Sequence, residues 1–253
     1  MKRIFYNLIF PLYIPFFFLF VSMSTFFFGT IVIILAFIPG LDPKRNIGNW
    51  IGRLWSWMNL GLSGTSVEMR GRSKIDPDQS YIVMSNHQSH FDVWALIAYL
   101  PLQLRWVMKI ELRSIPIFGL GCEKLGMIYV DRGDSAKSRE SLEVAKEKIR
   151  SGASVVFFPE GTRSPDGLIH DFKKGGFVMA LATETPILPI TINGSRYALP
   201  KDMPLLMKPG DIEIIIHDPV EVSGLTYEDR DELMDKIRKT IEADLDLEYG
   251  RIV

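Results

Sequence analysis

Two short segments carry residue types that do chemistry. Asn86-His87-Gln88-Ser89-His90-Phe91-Asp92 sets a histidine and a carboxylate five positions apart, and Phe158-Pro159-Glu160-Gly161-Thr162-Arg163-Ser164 sets a carboxylate beside an arginine. A histidine backed by a carboxylate is the equipment of a general base, the acid fixing the tautomer and stabilising the imidazolium. An arginine after a tight turn is equipment for holding phosphate, because the planar guanidinium makes paired, charge-assisted contacts. The two segments therefore point to a base facing a phosphate cradle.

The elements around them fix where they stand. Tyr81 to Ser85 follows an Asp76-Pro77-Asp78 turn signal and is rich in aromatic and β-branched residues, and Val155 to Phe158 reads the same way, so each motif lies just past the carboxyl end of a buried strand. In open α/β sheets that edge is where ligands bind. Five helical positions turn through roughly 140° beyond a full circle, so His87 and Asp92 meet only if a turn separates them, with a helix starting near Val93. Two other readings of the segment stay open: Asp92 as N-cap of a helix from Val93 to Leu100, and His87, His90 and Asp92 as metal ligands. For a metal, only His170 and His217 remain as further histidines, and neither sits in a ligand-like cluster.

Four blocks in order resemble those of the glycerophospholipid acyltransferases, in particular the bacterial 1-acyl-sn-glycerol-3-phosphate acyltransferases. They are His87 to Asp92, Gly126-Met127-Ile128-Tyr129-Val130-Asp131-Arg132, Phe158 to Ser164, and Leu188-Pro189-Ile190, together covering roughly residues 80 to 195. The resemblance implies that His87, oriented by Asp92, deprotonates the free hydroxyl of lysophosphatidic acid, which attacks an acyl thioester without an acyl-enzyme. It implies that Arg132 and Arg163 hold the acceptor phosphate and that Glu160 stands near its glycerol. Lys109 matches a lysine many members carry and would add a point charge. Gly161 and Thr162 complete the substrate-binding set, Gly161 chiefly by shaping the turn. The implied donor is acyl-CoA or acyl carrier protein as co-substrate, with no metal and no other cofactor. Another lysophospholipid or glycerol-3-phosphate as acceptor, or a catalytically silent lipid-binding protein of the same fold, are the rival readings.

Other chemistries lack their motifs. No Gly-x-Ser-x-Gly occurs, Gly119-Leu120-Gly121 lacks a third glycine at dinucleotide spacing, and there is no Walker lysine. The single cysteine, Cys122, excludes an intramolecular disulfide and reads as a small packing residue.

Of 253 residues with net charge −1 and 47% apolar content, residues 1–74 carry a net +6 and the remainder −7. A basic amino-terminal section beside an apolar stretch suits an anionic membrane surface, and the acidic remainder argues against nucleic acid. Ile4 to Leu41 holds no charged residue; as one helix it would run to about 57 Å, beyond a hydrocarbon core of about 30 Å. An interruption is expected, at Pro11 and Pro15, leaving Phe16 to Ile38 as a span, or at Ser22, Ser24 and Thr25 as the bend of a hairpin dipping into one leaflet. A second helix over about 45–62 has Ile47, Trp50, Ile51, Leu54, Trp55, Met58 and Leu62 at helical spacing, with Arg45, Asn49, Arg53 and Ser56 largely opposite. Its apolar face is suited either to the membrane interface or to the catalytic domain.

The expected architecture is a membrane-associated helix pair within residues 1–62, followed by a single α/β sandwich domain, 63–253, with a mixed, mostly parallel sheet. Strands are expected at Val67–Arg70, Tyr81–Ser85, Arg105–Met108, Met127–Val130, Val155–Phe158, Ile187–Ile192 and Ile212–Ile216. Helices are expected at Val93–Leu100, Ser135–Arg150, Gly175–Thr183 and Glu228–Leu247. Asp211 to Val253 hold thirteen acids and five bases, a surface for water. The location that follows is the membrane, with the catalytic domain on the cytoplasmic face.

Overall fold

The computed structural model describes residues 10–130 and 135–250. Seven strands form one sheet: β1 (Ser66–Arg70), β2 (Ile82–Ser85), β3 (Leu104–Lys109), β4 (Ile128–Val130), β5 (Ser154–Phe157), β6 (Ile187–Asn193) and β7 (Asp211–Ile216). Their order is β1-β7-β6-β2-β5-β3-β4. Every neighbouring pair is parallel except β6 with β7. The mixed, mostly parallel sheet is the one expected, and each strand falls within one residue of its anticipated limits. β2 through β6 read as nearly unbroken apolar runs because helices cover both faces.

One face packs Val83, Val156, Leu188 and Ile214 against Phe91, Trp94 and Leu96 of α3 (Phe91–Tyr99). The other packs Ile82, Met84 and Val155 against α5 (Ser135–Arg150), α6 (Gly175–Thr183) and α8 (Arg230–Ala243). Two helices were not foreseen. α4 (Phe118–Lys124) carries two glycines in seven residues, and α7 (Ser195–Ala198) is a single turn.

The amino-terminal pair is present, with one correction. α1 runs unbroken from Phe10 to Ala36 with Pro15 inside it, so neither expected interruption occurs between those residues. The hydroxyls of Ser22, Thr25 and Thr30 donate to carbonyls one turn back, at 2.9, 2.6 and 2.7 Å, and Ser24 donates to Val21 at 3.1 Å. Back-bonding lets these side chains stay in a helix without unpaired polar groups. α1 has the length and apolar composition to cross a membrane, and little of it is buried in the protein.

α2 (Asn46–Leu62) sorts its residues differently from the simple stripe. Arg53 donates to the carbonyls of Leu100 and Leu102, and Asn49 accepts from Arg105 at 2.8 Å, so the polar side faces the domain. Trp55 also turns inward, 5.8 Å edge-on from Trp94, with its indole N–H donating to Ser24 at 3.2 Å. Trp50 and Trp57 remain about 60% exposed, at 62% and 60%. Part of the stripe thus packs on the domain, and the rest is left outside.

Candidate active site

The strand order gathers the motifs. β2 and β5 are hydrogen-bonded neighbours, yet the chain leaves β2 toward β3 and leaves β5 toward β6, on opposite sides. Such a reversal opens a crevice at the carboxyl edge. The loop after β2 begins at Asn86 and the loop after β5 at Phe158, so both blocks flank it.

Residues 87–90 form the turn that the five-residue spacing requires, and α3 starts at Phe91, two residues earlier than expected. Asp92 is its second residue rather than an N-cap. One carboxylate oxygen, Oδ2, receives the His87 ring at Nδ1 (2.8 Å), the Gln88 N–H (2.7 Å) and the Ser89 N–H (2.8 Å). Asp92 is fully buried and its Oδ1 has no partner. These bonds require the carboxylate to accept, so Nδ1 carries the proton and Nε2 is left with its lone pair.

The ring is also clamped flat. His87 stacks on Phe158 with centroids 3.7 Å apart and planes 6° from parallel, and Phe158 leans on Trp106 at 5.5 Å. The backbone of His87 is held by the other block: its N–H donates to Glu160 Oε1 at 3.1 Å, and its carbonyl accepts from the Ser164 N–H at 2.7 Å. Every degree of freedom of this imidazole is therefore fixed by a named contact.

Glu160 has 4% of its surface exposed, and its second oxygen accepts the His170 N–H at 3.1 Å. Burial pushes its carboxyl above the usual carboxylate range. It is a strut between loops, and any contact with the acceptor's glycerol would have to share these oxygens. Gly161 closes the turn through its N–H to the Phe158 carbonyl at 2.9 Å, with φ of 74°, a conformation that favours glycine. Thr162 is exposed.

Arg163 donates from Nη2 to Asp202 at 2.8 Å, and its carbonyl accepts Lys201 Nζ at 2.7 Å. His90 stands within reach of that guanidinium; desolvation first, then Arg163, lowers its pKa. Lys109, exposed at the carboxyl end of β3, lies at the same edge of the sheet and pairs in register with Val130 of β4. Arg132 lies outside the described residues; β4 ends two residues before it.

Among the described residues no group of three His, Cys, Asp or Glu is arranged to hold a metal ion. His170 pairs with Asp166 at 3.0 Å, and His217 bonds the Thr191 hydroxyl at 2.8 Å. The Ser164 hydroxyl, chief among several donors, holds Asp166 down at about 2. Burial pushes the Cys122 thiol up to about 12, so it is protonated at neutral pH and is no nucleophile.

Five participants are not marked by the sequence. Phe158 reads as a strand end and the start of a motif, yet it is the platform under His87. Ser164 and Gln88 stitch the blocks, the latter through Gly167 at 3.1 Å. Asp202 and Lys201 lie 38 or more positions from Arg163 in loops with no motif of their own, and nothing in the sequence marks them.

Comparisons with known proteins identify the family. A family model described as Acyltransferase matches residues 66–193. A chloroplastic 1-acyl-sn-glycerol-3-phosphate acyltransferase of Arabidopsis thaliana is 30% identical over 226 residues, 88% of this chain and 62% of its own. The alpha form of the same enzyme from Mus musculus is 34% identical over 201 residues, 78% of this chain and 70% of its own. A Pseudomonas aeruginosa enzyme of that name is 31% identical over 211 residues, 82% and 80%. The chain spans about three fifths of the length of the plant relatives, 62% and 58%. The crystal structure of the 1-acyl-sn-glycerophosphate (LPA) acyltransferase PlsC from Thermotoga maritima superposes with a TM-score of 0.79 at 27% identity, covering 92% of this chain and 94% of that one. With the family model spanning both blocks and the strands that carry them, the chain belongs to the acyltransferase family.

Proposed function

We propose that this protein transfers a fatty acyl group from a thioester to the free hydroxyl of 1-acyl-sn-glycerol-3-phosphate, giving phosphatidic acid. The observation that carries the reading is the His87 Nδ1 to Asp92 Oδ2 contact of 2.8 Å, which leaves Nε2 as the basic nitrogen at the ligand-binding edge of the sheet. The names of the relatives supply the acceptor.

The reaction balances without a covalent enzyme intermediate. His87 Nε2 takes the hydroxyl proton as the oxygen attacks the thioester carbonyl; the tetrahedral intermediate collapses, the carbon–sulfur bond breaks, and the departing thiolate recovers the proton from the imidazolium. Asp92 offsets the transient positive charge, and general-base action of this kind is worth about 10²- to 10⁴-fold. Arg163 holds the phosphate, joined by Lys109 at the end of β3 and by Arg132. Thr162 and Gly161 line the turn that presents it. No metal and no further cofactor takes part. The donor is acyl-CoA or acyl carrier protein, both cytoplasmic, which puts the catalytic domain on that face of the membrane, anchored to the bilayer by α1 and α2.

A panel of lyso-acceptors with both thioester donors tests this. Phosphatidic acid should form from lysophosphatidic acid in preference to lysophospholipids with blocked phosphates and to glycerol-3-phosphate. Equal use of acceptors lacking a phosphomonoester would contradict it.

A further inference from the structure

Residues 199–208 form a closed loop between α7 and β7, beside the proposed phosphate site. Lys208 N–H donates to the Ala198 carbonyl at 2.9 Å and closes the neck. At its two ends Leu199 and Met207 are buried, at 5% and 2%. The loop is latched to both motif blocks: the Ser89 hydroxyl donates to the Leu199 carbonyl at 2.8 Å, and Lys201 and Asp202 hold the two ends of Arg163. Its tip is the reverse of what a water-facing turn should be. Met203, Leu205 and Leu206 are 56, 72 and 58% exposed, and the short 3₁₀ turn Pro204–Leu206 sits against α1.

Three adjacent exposed aliphatic side chains need a partner more than scattered ones do. The helix the tip packs against, α1, is itself exposed at Leu12, Phe16 and Leu19, at 71, 70 and 57%, so two exposed apolar segments lie in contact. The foot of the tip, at Lys201 and Asp202, is bonded to Arg163. Lys208 flanks it on one side, as cations do at a headgroup boundary, while Lys201 and Asp202 on the other are engaged with Arg163.

We propose that the Met203–Leu206 tip inserts into the bilayer as a contact separate from the amino-terminal helices, setting the phosphate site at headgroup level. This rests on the acyltransferase reading only for its kinetic consequence; the insertion itself does not depend on it. A lipid acceptor whose chain stays in the bilayer then meets Arg163 without leaving the membrane.

The full chain with Leu205→Asp and Leu206→Asp together tests the proposal. These side chains are exposed, so the fold should be retained. Apparent KM for lysophosphatidic acid in anionic phosphatidylglycerol/phosphatidylcholine vesicles should rise by at least about tenfold, since carboxylates resist entry into the interface, while kinetics on a water-soluble short-chain acceptor stay the same. Independently of activity, Leu205→Cys in a Cys122→Ser background carries an environment-sensitive dye. Quenchers placed in the acyl region of the same vesicles should dim it. An unquenched dye overturns the proposal. So does an equal loss on both acceptors, which would assign the tip to substrate or to a protein partner such as a carrier. A wild-type protein with no activity but a quenched dye would sink the acyltransferase reading and leave the insertion standing.

Discussion

Asp92 concentrates the chemistry at the scale of single residues. One oxygen serves two backbone N–H groups and the His87 ring, while the other is buried without a partner. An asparagine there keeps an acceptor oxygen but cannot offset an imidazolium. Asp92→Asn should therefore lower kcat by about 10²-fold or more with little change in either KM, read from steady-state assays with both substrates varied. Arg163 should behave in the opposite manner. Removing a charge-assisted bond costs about 1.5 to 3 kcal/mol, so Arg163→Ala should raise the acceptor KM about tenfold while sparing the donor KM. Arg163→Lys should recover only part, because a point charge does not reproduce the fork; equal weakening of donor and acceptor would show that the residue serves the fold. Glu160 makes a third case. Its two oxygens accept from the backbones of His87 and His170 in a buried site. Glu160→Gln sets an amide N–H against one of those donors, and an unsatisfied buried group costs about 1 to 3 kcal/mol. A lowered urea midpoint together with a lowered kcat is expected; a change confined to acceptor KM would instead put Glu160 on the substrate.

At the scale of elements, the sequence was informative wherever burial on both faces left an apolar run, as in β2, β5 and β6, whereas the edge strand β1, Ser-Val-Glu-Met-Arg, has no buried residue and no such run. The His87 to Asp92 turn was legible from angular arithmetic alone. α4 was not, because Gly119 and Gly121 mimic a loop; its helix depends on close packing against Gly29 of α1, which no local pattern reveals. The unbroken α1 was missed for a related reason: its serines and threonines looked like a bend, while their hydroxyls bond within the helix. In α2 the polar residues Asn49 and Arg53 face inward because distant carbonyls and Arg105 await them. This sorting separates the tryptophans by role. Trp50→Ala with Trp57→Ala should weaken vesicle sedimentation and leave activity on a soluble acceptor intact. Trp55→Ala should lower Tm, since it removes the contact joining α1, α2 and α3.

For the whole molecule, the amino-terminal helices and the domain that carries the site share one core. Ile14 and Phe17 of α1 and Leu60 of α2 are each 1% exposed, and Phe17 meets Phe91, the residue before Asp92, edge-on with centroids 6.5 Å apart. Truncating residues 1–62 would thus open the core beneath the active site, so surface substitutions are the sound way to separate attachment from chemistry. The acidic carboxyl-terminal section and the basic amino-terminal section give the protein a polarity suited to an anionic bilayer on one side and water on the other. The central claim is that His87, held by Asp92, is the base in acyl transfer to lysophosphatidic acid. It is tested most directly by measuring radiolabelled phosphatidic acid formed by His87→Ala beside the wild-type enzyme, with circular dichroism confirming an intact fold. A loss of at least about 10²-fold is expected; a folded variant working within a few-fold of wild type would remove His87 from the base's role.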